Sequence, residues 1–592
     1  MIDLGRLAAG DVLVPAGAAA PVAFAAEELA AYVGRLFPAT PARRPVAAPG
    51  GDWLALVPSG APMPPLPELP ADAEWVVRPA NGGAVLRGTS PRATLAAVYA
   101  LLRAAGCRWS PHGRDDELVP AGAGVAALTG RPAFARRVYV ADLGTWHYTV
   151  PERLAARLPH DVAFIDWMAK CDATGFLFIR HANDTQWTVP ELLPELARRG
   201  LAIEGGGHAL VELLPRSLFA SHPEYFPLAA TGRSDLGNAC VSSPDAVALI
   251  RERATTARAE IPGATDFHLW GLDLFGGGWC TCPGCASLTP SDQSLVACNA
   301  AAEAMGGGRI FHLAYHDTIE PPARIAPHPH VWAEFAPRER CYGHALDDPG
   351  CATNAVYRRA LDAHLERFAG RVDVFEYYGD AILFGGCAVP LVDVIGRDLE
   401  CYRAAGVRGV SCLVFGQYST WAYGVNVEAF ARGTIDPRDA AGARTERASR
   451  RFAPAGDAMV RYLAALEDAM VGVVRHGDVL LPPDDAPTRA GVEAALGREA
   501  ELRRLLADAR AAGAPPARIA AEEHLLDYTV AVLAALRDWL RRRDRADAER
   551  ALAALAATIA HVHAADPDVI GTWGAHDLEL THHFFVNALR AR

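Results

Sequence analysis

Lysine is nearly absent from this chain: Lys170 is the single lysine among 57 basic residues, and the rest are arginine. With the heavy use of alanine, that bias reads as the mark of a GC-rich genome, not of function. Positive charge is also outnumbered. Against 69 acidic residues the net charge is -12, so no global basic field exists to draw in nucleic acid or anionic lipid. Long apolar runs are missing too. The longest uncharged stretches, Val12 to Ala26 and Trp53 to Pro67, are broken by prolines and too short to span a bilayer. Asp3, Arg6 and Asp11 stand where a secretion signal would need a cationic start and an unbroken apolar run. Twelve irregularly spaced cysteines fit reduced thiols better than a disulfide framework, so the expected location is the cytoplasm.

Several signatures are lacking as well. No Gly-x-Gly-x-x-Gly stands between a strand and a helix, and no Walker-type loop is present, which argues against dinucleotide and P-loop chemistry. Without Gly-x-Ser-x-Gly or His-Glu-x-x-His, serine hydrolase and zincin readings fall away. What remains is a chain of 592 residues, 51% hydrophobic and 21% charged, enough for several globular domains.

Three regions emerge. Residues 1–130 combine amphipathic helices (Phe24 to Leu36, Pro91 to Ala105) with strand-like runs at Glu74 to Arg78 and Gly83 to Gly88, a small α/β layer domain. Residues 131–425 alternate helices with eight strand candidates: 137–143, 175–181, 201–205, 266–274, 309–316, 330–335, 372–378 and 409–415. Eight such alternations over this length predict a (β/α)8 TIM-type barrel, with a doubly wound open sheet as the structural alternative. Residues 426–592 show helical periodicity throughout, at 440–452, 459–476, 488–512, 517–543 and 546–564, and form a helical domain whose Arg and Glu runs are solvated faces.

In a barrel, chemistry belongs where strands end. Polar and aromatic residues gather there: Trp146 and His147, then His181, Asn183 and Asp184, then Glu204 and His208. Asp273 and Trp279 follow, then Tyr315, His316 and Asp317, then Glu376, Tyr377 and Asp380, and finally Gln417 and Trp421. Together they describe an aromatic-lined polar cleft suited to sugars, whose hydroxyls bond to Asn, Asp and His while C–H faces stack on rings. Glycoside hydrolysis needs a general acid and a second carboxylate. Glu376 ends an apolar run where burial would keep it protonated, and Asp273 sits in a Gly-rich loop open to substrate. These two are the expected catalytic pair, with Glu204, Asp317 and Asp380 as further candidates. Tyr225 and Phe226 read as core anchors of a loop over the cleft.

Catalysis of this kind requires no cofactor. Cys280, Cys282 and Cys285, spaced C-x-C-x2-C, could hold a structural zinc ion if Cys240 or Cys298 supplied a fourth thiolate. The expected partner is an oligosaccharide or glycan, not nucleic acid or membrane; a homo-oligomer remains open.

An ordered series of motifs carries a resemblance. It runs through Glu27-Glu-Leu-Ala-Ala-Tyr32, Ala97-Ala-Val-Tyr-Ala-Leu-Leu102, Gly106-Cys-Arg-Trp109 and Gly207-His-Ala-Leu210. It continues with His222-Pro-Glu-Tyr-Phe226, Gly232-Arg233, Trp279-Cys-Thr-Cys282 with Cys285, Glu376-Tyr-Tyr378 and Trp421-Ala-Tyr-Gly-Val-Asn426. From about residue 25 to 470 the chain resembles the bacterial family known as domain of unknown function 4838 (DUF4838), which corresponds to glycoside hydrolase family 163. The resemblance implies a hexosaminidase-like N-terminal domain, a catalytic barrel and endo-β-N-acetylglucosaminidase action on N-glycans. The architecture is also similar to family 20 hexosaminidases and to family 67 α-glucuronidases, which act on small uronyl oligosaccharides. An exo-acting uronidase and a non-catalytic carbohydrate-binding barrel are the alternative readings.

Overall fold

The computed structural model describes residues 1–542 apart from 39–44, 49, 122–123, 142–150, 181–185, 262, 415–421, 477–478 and 480–481. Eight parallel strands close into a barrel: β1 (Arg136–Ala141), β2 (Gly175–Arg180), β3 (Ala202–Gly207), β4 (Ala264–Leu269), β5 (Arg309–Ala314), β6 (Val331–Phe335), β7 (Val372–Gly379) and β8 (Gly409–Val414). All eight expected strands are present, and β8 pairs with β1 to complete the ring. The fold is a TIM-type barrel and not an open sheet.

Helices between the strands cover the outer face of the barrel, several of them with small side chains, such as Ala246, Ala254 and Ala257 of Pro244–Ala259. Pro290–Met305, absent from the sequence reading, starts with a capping box: the Thr289 hydroxyl accepts from the Asp292 N–H, and the Asp292 carboxylate accepts from the Thr289 N–H. Gly424–Ile435 packs Phe430 edge-on to Tyr139 of β1 at 5.6 Å, so the barrel's last helix lies across the boundary expected at residue 425.

The N-terminal region is a six-stranded sheet in the order Pro45–Ala48, Asp11–Pro15, Trp53–Val57, Gly83–Gly88, Trp75–Ala80, Leu128–Gly130. Two of these strands lie in the stretches noted only for lacking charge. Ala20–Leu36 and Pro91–Ala104 pack on the sheet. The lone lysine is buried and joins this region to the barrel, with Nζ 2.7 Å from Glu117 and 2.5 Å from Asp166. Asp116 ties in the C-terminal helices, since it faces Arg450 at 2.5 Å and Arg451 at 2.6 Å. The stretch expected to be one helix from 488 to 512 is two, Ala486–Gly497 and Glu499–Ala511; the helix expected at 546–564 falls outside the described residues. No helix among the described residues is long and apolar enough to cross a membrane.

The interior of the barrel is charged where such cores are ordinarily filled by Val, Ile and Leu. Arg136 forks onto Glu204, with Nε–Oε1 at 2.8 Å and Nη2–Oε2 at 2.6 Å, and reaches Asp373 at 3.4 Å. His268 stands between two carboxylates, Nε2 at 2.9 Å from Glu204 and Nδ1 at 2.8 Å from Glu334. A carboxylate can only accept, so both ring nitrogens must donate, and the ring is held as imidazolium. Its pKa is accordingly raised to about 9 by the facing glutamates despite complete burial. Glu204, expected near a strand end facing the cleft, is thus a counter-ion inside the barrel, held well below the usual carboxylate range by Arg136 and His268 against the cost of burial.

Candidate active site

Above this charged layer the C-terminal mouth of the barrel opens into a cleft of about 380 Å³. Trp270 and Phe375 line it, 5.8 Å apart and edge to face, and the Trp270 indole N–H donates down to Glu334 at 3.2 Å. The cleft therefore rests directly on the ion network.

Each wall comes from a strand end. The Gly205-Gly-Gly207 run that closes β3 is a packing requirement. Gly206 has φ +134, and a Cβ there would stand 2.1 Å from the His268 carbonyl oxygen. This close approach delivers His208 to the cleft, where Nδ1 lies 2.6 Å from the Gly271 carbonyl oxygen. After β4 come Asp273, Leu274 and Phe275, all exposed; Phe275 is 79% accessible. After β5, Tyr315 and His316 line the cleft, and His316 holds a left-handed backbone at φ +47, a conformation that costs energy in a non-glycine residue. Its Nδ1 is 3.0 Å from Glu339. Arg338 follows β6, and Tyr377 and Asp380 come from β7 and its end. Arg338 Nε is 3.3 Å from Asp380 Oδ2, while the Ile382 and Leu383 N–H groups donate to Oδ1 at 2.8 and 3.0 Å. Tyr315 lies among Asp273, Glu339 and Asp380, and burial with those charges lifts its phenol far above the ordinary range.

Asp273, His208, Tyr315, His316 and Tyr377 thus share one cleft, as expected from their places at strand ends. Trp146, His147, His181, Asn183, Asp184, Gln417 and Trp421 lie outside the described residues. Trp279 is not in the cleft wall; its indole N–H donates to Asp317 at 3.2 Å. Asp317 also accepts from the Gly276 and Gly277 N–H groups at 2.9 and 3.0 Å, and so holds the glycine-rich lip in shape.

Glu376 requires the main correction. Its neighbours Phe375 and Tyr377 point into the barrel, and Glu376 points outward into the helix layer, fully buried. Its Oε1 accepts from the Tyr402 hydroxyl and lies 3.3 Å from Arg340 Nη2, which is also paired with Asp398. One guanidinium cannot balance two buried carboxylates, and burial raises the Glu376 pKa to about 7. Burial raises the pKa of this carboxyl as expected, but a side chain sealed in the helix layer cannot touch a molecule in the cleft. Asp380 is the carboxylate that β7 brings there. Arg338 escaped the sequence reading, although it lies three residues beyond β6 where the strand-end rule would have looked.

Cys240 joins Cys280, Cys282 and Cys285, with all four sulfurs within 4.8 Å of one another. Cys298 stands apart, its thiol directed to the Leu269 carbonyl oxygen at 3.4 Å.

Residues 143–420 match the family model DUF4838, a domain of unknown function. The match covers nearly the whole barrel. No curated protein sequence matches the chain. Among solved structures, similarity extends to a family 138 glycoside hydrolase targeting pectin rhamnogalacturonan II, with a TM-score of 0.56 and 8% identity over 98% of this chain and 99% of that one. A family 89 glycoside hydrolase from Clostridium perfringens in complex with PUGNAc is similar at a TM-score of 0.50 and 8% identity, over 89% of this chain and 67% of that one. At such identities the likeness is one of fold.

Proposed function

We propose that the protein is a glycoside hydrolase, with Asp273 and Asp380 as the carboxylates acting across the cleft on an oligosaccharide. The observation that carries this reading is their convergence, from β4 and β7, on one aromatic-lined cleft at the catalytic end of a TIM-type barrel. One carboxylate in that arrangement protonates the leaving oxygen while the other attacks, activates water or stabilises the developing positive charge. His208 and His316 are placed to bond sugar hydroxyls, and Phe275, Tyr315 and Tyr377 to stack on sugar C–H faces. Solved glycoside hydrolases of similar fold and the DUF4838 barrel support the same class of chemistry.

The resemblance to family 163 extends the reading to endo-β-N-acetylglucosaminidase-type cleavage of a glycan. A second reading rests on Arg338, whose guanidinium in the cleft could grip a sugar carboxylate, as an exo-acting uronidase requires. The test is a panel of N-glycans, N-acetylhexosaminyl and uronyl aryl glycosides and pectin-derived saccharides, with products followed by mass spectrometry. Turnover of one class, lost in both Asp273→Asn and Asp380→Asn, is expected. Turnover that survives either substitution overturns the assignment of that residue, and binding without any product overturns the enzyme reading.

A further inference from the structure

We propose that Cys240, Cys280, Cys282 and Cys285 bind a structural zinc ion that staples together the loops after β3 and β4. The four sulfurs lie within 4.8 Å of one another, and Cys240 Sγ is 3.7 Å from Cys282 Sγ. Zinc–thiolate bonds of about 2.3 Å in a tetrahedron put sulfurs about 3.8 Å apart, which matches this separation. A disulfide would need about 2.05 Å. None of the four is more than 6% exposed, so the set is closed and leaves no position for water, the mark of a structural and not a catalytic site.

The surroundings fit the same ion. The four cysteines make a small core of their own, separate from the main one, with only the partly buried Leu228 and Val241 against it. Thiols alone give such a core little apolar area to hold two long loops. Cys282 to Cys285 is a tight turn, in which the Cys285 and Ala286 N–H groups both donate to the Cys282 carbonyl oxygen at 2.9 and 2.8 Å. The Leu228 N–H donates to Cys280 Sγ at 3.4 Å, and the Arg233 guanidinium, bonded to the Phe226 carbonyl oxygen, lies near enough to interact with Cys240, Cys280 and Cys282. Such donors and a nearby cation offset the charge of four thiolates on one divalent ion.

The staple bears on the cleft. Two residues before Cys240, the Asn238 side-chain oxygen accepts from the Leu272 N–H at 2.8 Å, and the Asn238 N–H donates to the Gly278 carbonyl oxygen at 2.7 Å. Zinc at the cysteines therefore fixes the loop that holds the backbone next to Asp273.

The experiment measures metal in protein purified without chelators. One tightly bound zinc per chain is expected in the wild type and in Cys298→Ser, with loss of at least about tenfold in Cys240→Ser and Cys282→Ser. Stripping the metal from the wild type should lower Tm and open residues 271–289 to limited proteolysis. Because the serine variants could fail to fold, cobalt exchange into the wild type gives an independent readout, with the charge-transfer and d–d bands of a tetrahedral tetrathiolate site. Three results would each overturn the proposal: no bound zinc in the wild type, a disulfide among the four cysteines, or zinc retained by folded Cys240→Ser. A cobalt spectrum with imidazole character would also do so, because it would point to Cys341, His344 and Cys351, a three-donor cluster among the described residues.

Discussion

Glu376 and Tyr377 are neighbours in β7 that face opposite sides of the barrel wall. Tyr377 lines the cleft, while Glu376 is sealed among Tyr402, Arg340 and Asp398. A pKa raised to about 7 on Glu376 is therefore a property of the packed helix layer, not of the chemistry. Replacing it with Gln keeps an acceptor for Tyr402 and removes an ionisation that the buried site opposes. Because the folded pKa is raised, this group favours the fold fully below pH 4.5 and loses that contribution as pH rises through about 7. Glu376→Gln is expected to leave kcat within a few-fold of wild type and to flatten the fall in stability over that interval, read by urea denaturation at several pH values. An unfolded variant, or a collapse of kcat in a folded one, contradicts this placement.

Asp380 and Asp273 should behave oppositely. Removing a positioned acid or base costs about 10²–10⁴ in rate. Each Asn substitution is expected to lower kcat by that order on whichever substrate the wild type turns over, with Tm nearly unchanged for Asp273, which is exposed. Asp380 also accepts two backbone N–H bonds and faces Arg338, so Asp380→Asn should cost some stability as well. Steady-state kinetics beside thermal denaturation separates the two effects.

The contrast between these carboxylates explains what could be read in the sequence. Strand number and positions were legible because β-branched and aromatic runs alternate with helical patterns over the barrel's characteristic length. The facing of a side chain within such a strand was not. Parallel barrel strands are buried on both faces, so all eight residues of Val372–Gly379 are buried and no polar alternation marks the inner side. Glu376 looked catalytic for the very reason that it is packed away. Asp273 and Asp380 lie just past their strands, where a loop residue needs no choice of face. Pro290–Met305 was missed because its buried face is mostly Ala, Ser and Cys, too weakly apolar to show a period. Cys240 could be named only as one of two candidates, because about forty residues of chain separate it from its partners.

His268, caught between Glu204 and Glu334, makes barrel stability depend on pH in a defined direction. Its folded pKa of about 9 lies above the ordinary 6.5, so its contribution is complete below pH 6.5 and disappears as pH rises through 9. That shift corresponds to on the order of 3 kcal/mol. The stability gap between wild type and His268→Gln should therefore be large at pH 6 and narrow by pH 10. A gap of constant size in urea titrations at both pH values would show that the ring is not held as imidazolium.

Arg136 tests the same layer by charge removal. It neutralises Glu204 and sits within 3.4 Å of Asp373, both buried. Arg136→Met leaves Glu204 with the His268 ring alone and Asp373 with Arg309 alone, at 3.6 Å, a loss of about 3–5 kcal/mol when one partner of a buried ion pair is removed. Because Trp270 joins the network to the cleft, a folded variant should also bind substrate less well. A double substitution, Arg136→Met with Glu204→Gln, should recover part of the lost stability. If the double variant is no more stable than the single one, the pair is not the element being lost.

Phe275 is expected to contribute binding without chemistry. It stands on the lip after β4, 79% exposed, with its ring edge-on to His316 at 5.1 Å. A large aromatic left in water at a cleft mouth has its natural use in covering an apolar face of a ligand. Such contact acts equally on bound substrate and transition state, so its removal should raise KM and spare kcat. Phe275→Ala is expected to raise KM about tenfold, equivalent to about 1.4 kcal/mol, while Phe275→Trp should preserve it. The loss should grow with the length of the oligosaccharide if the ring lies at an outer sugar position, and stay constant if it lies at the cleaved one. A fall in kcat at unchanged KM would instead mean that the ring shapes the lip around Asp273.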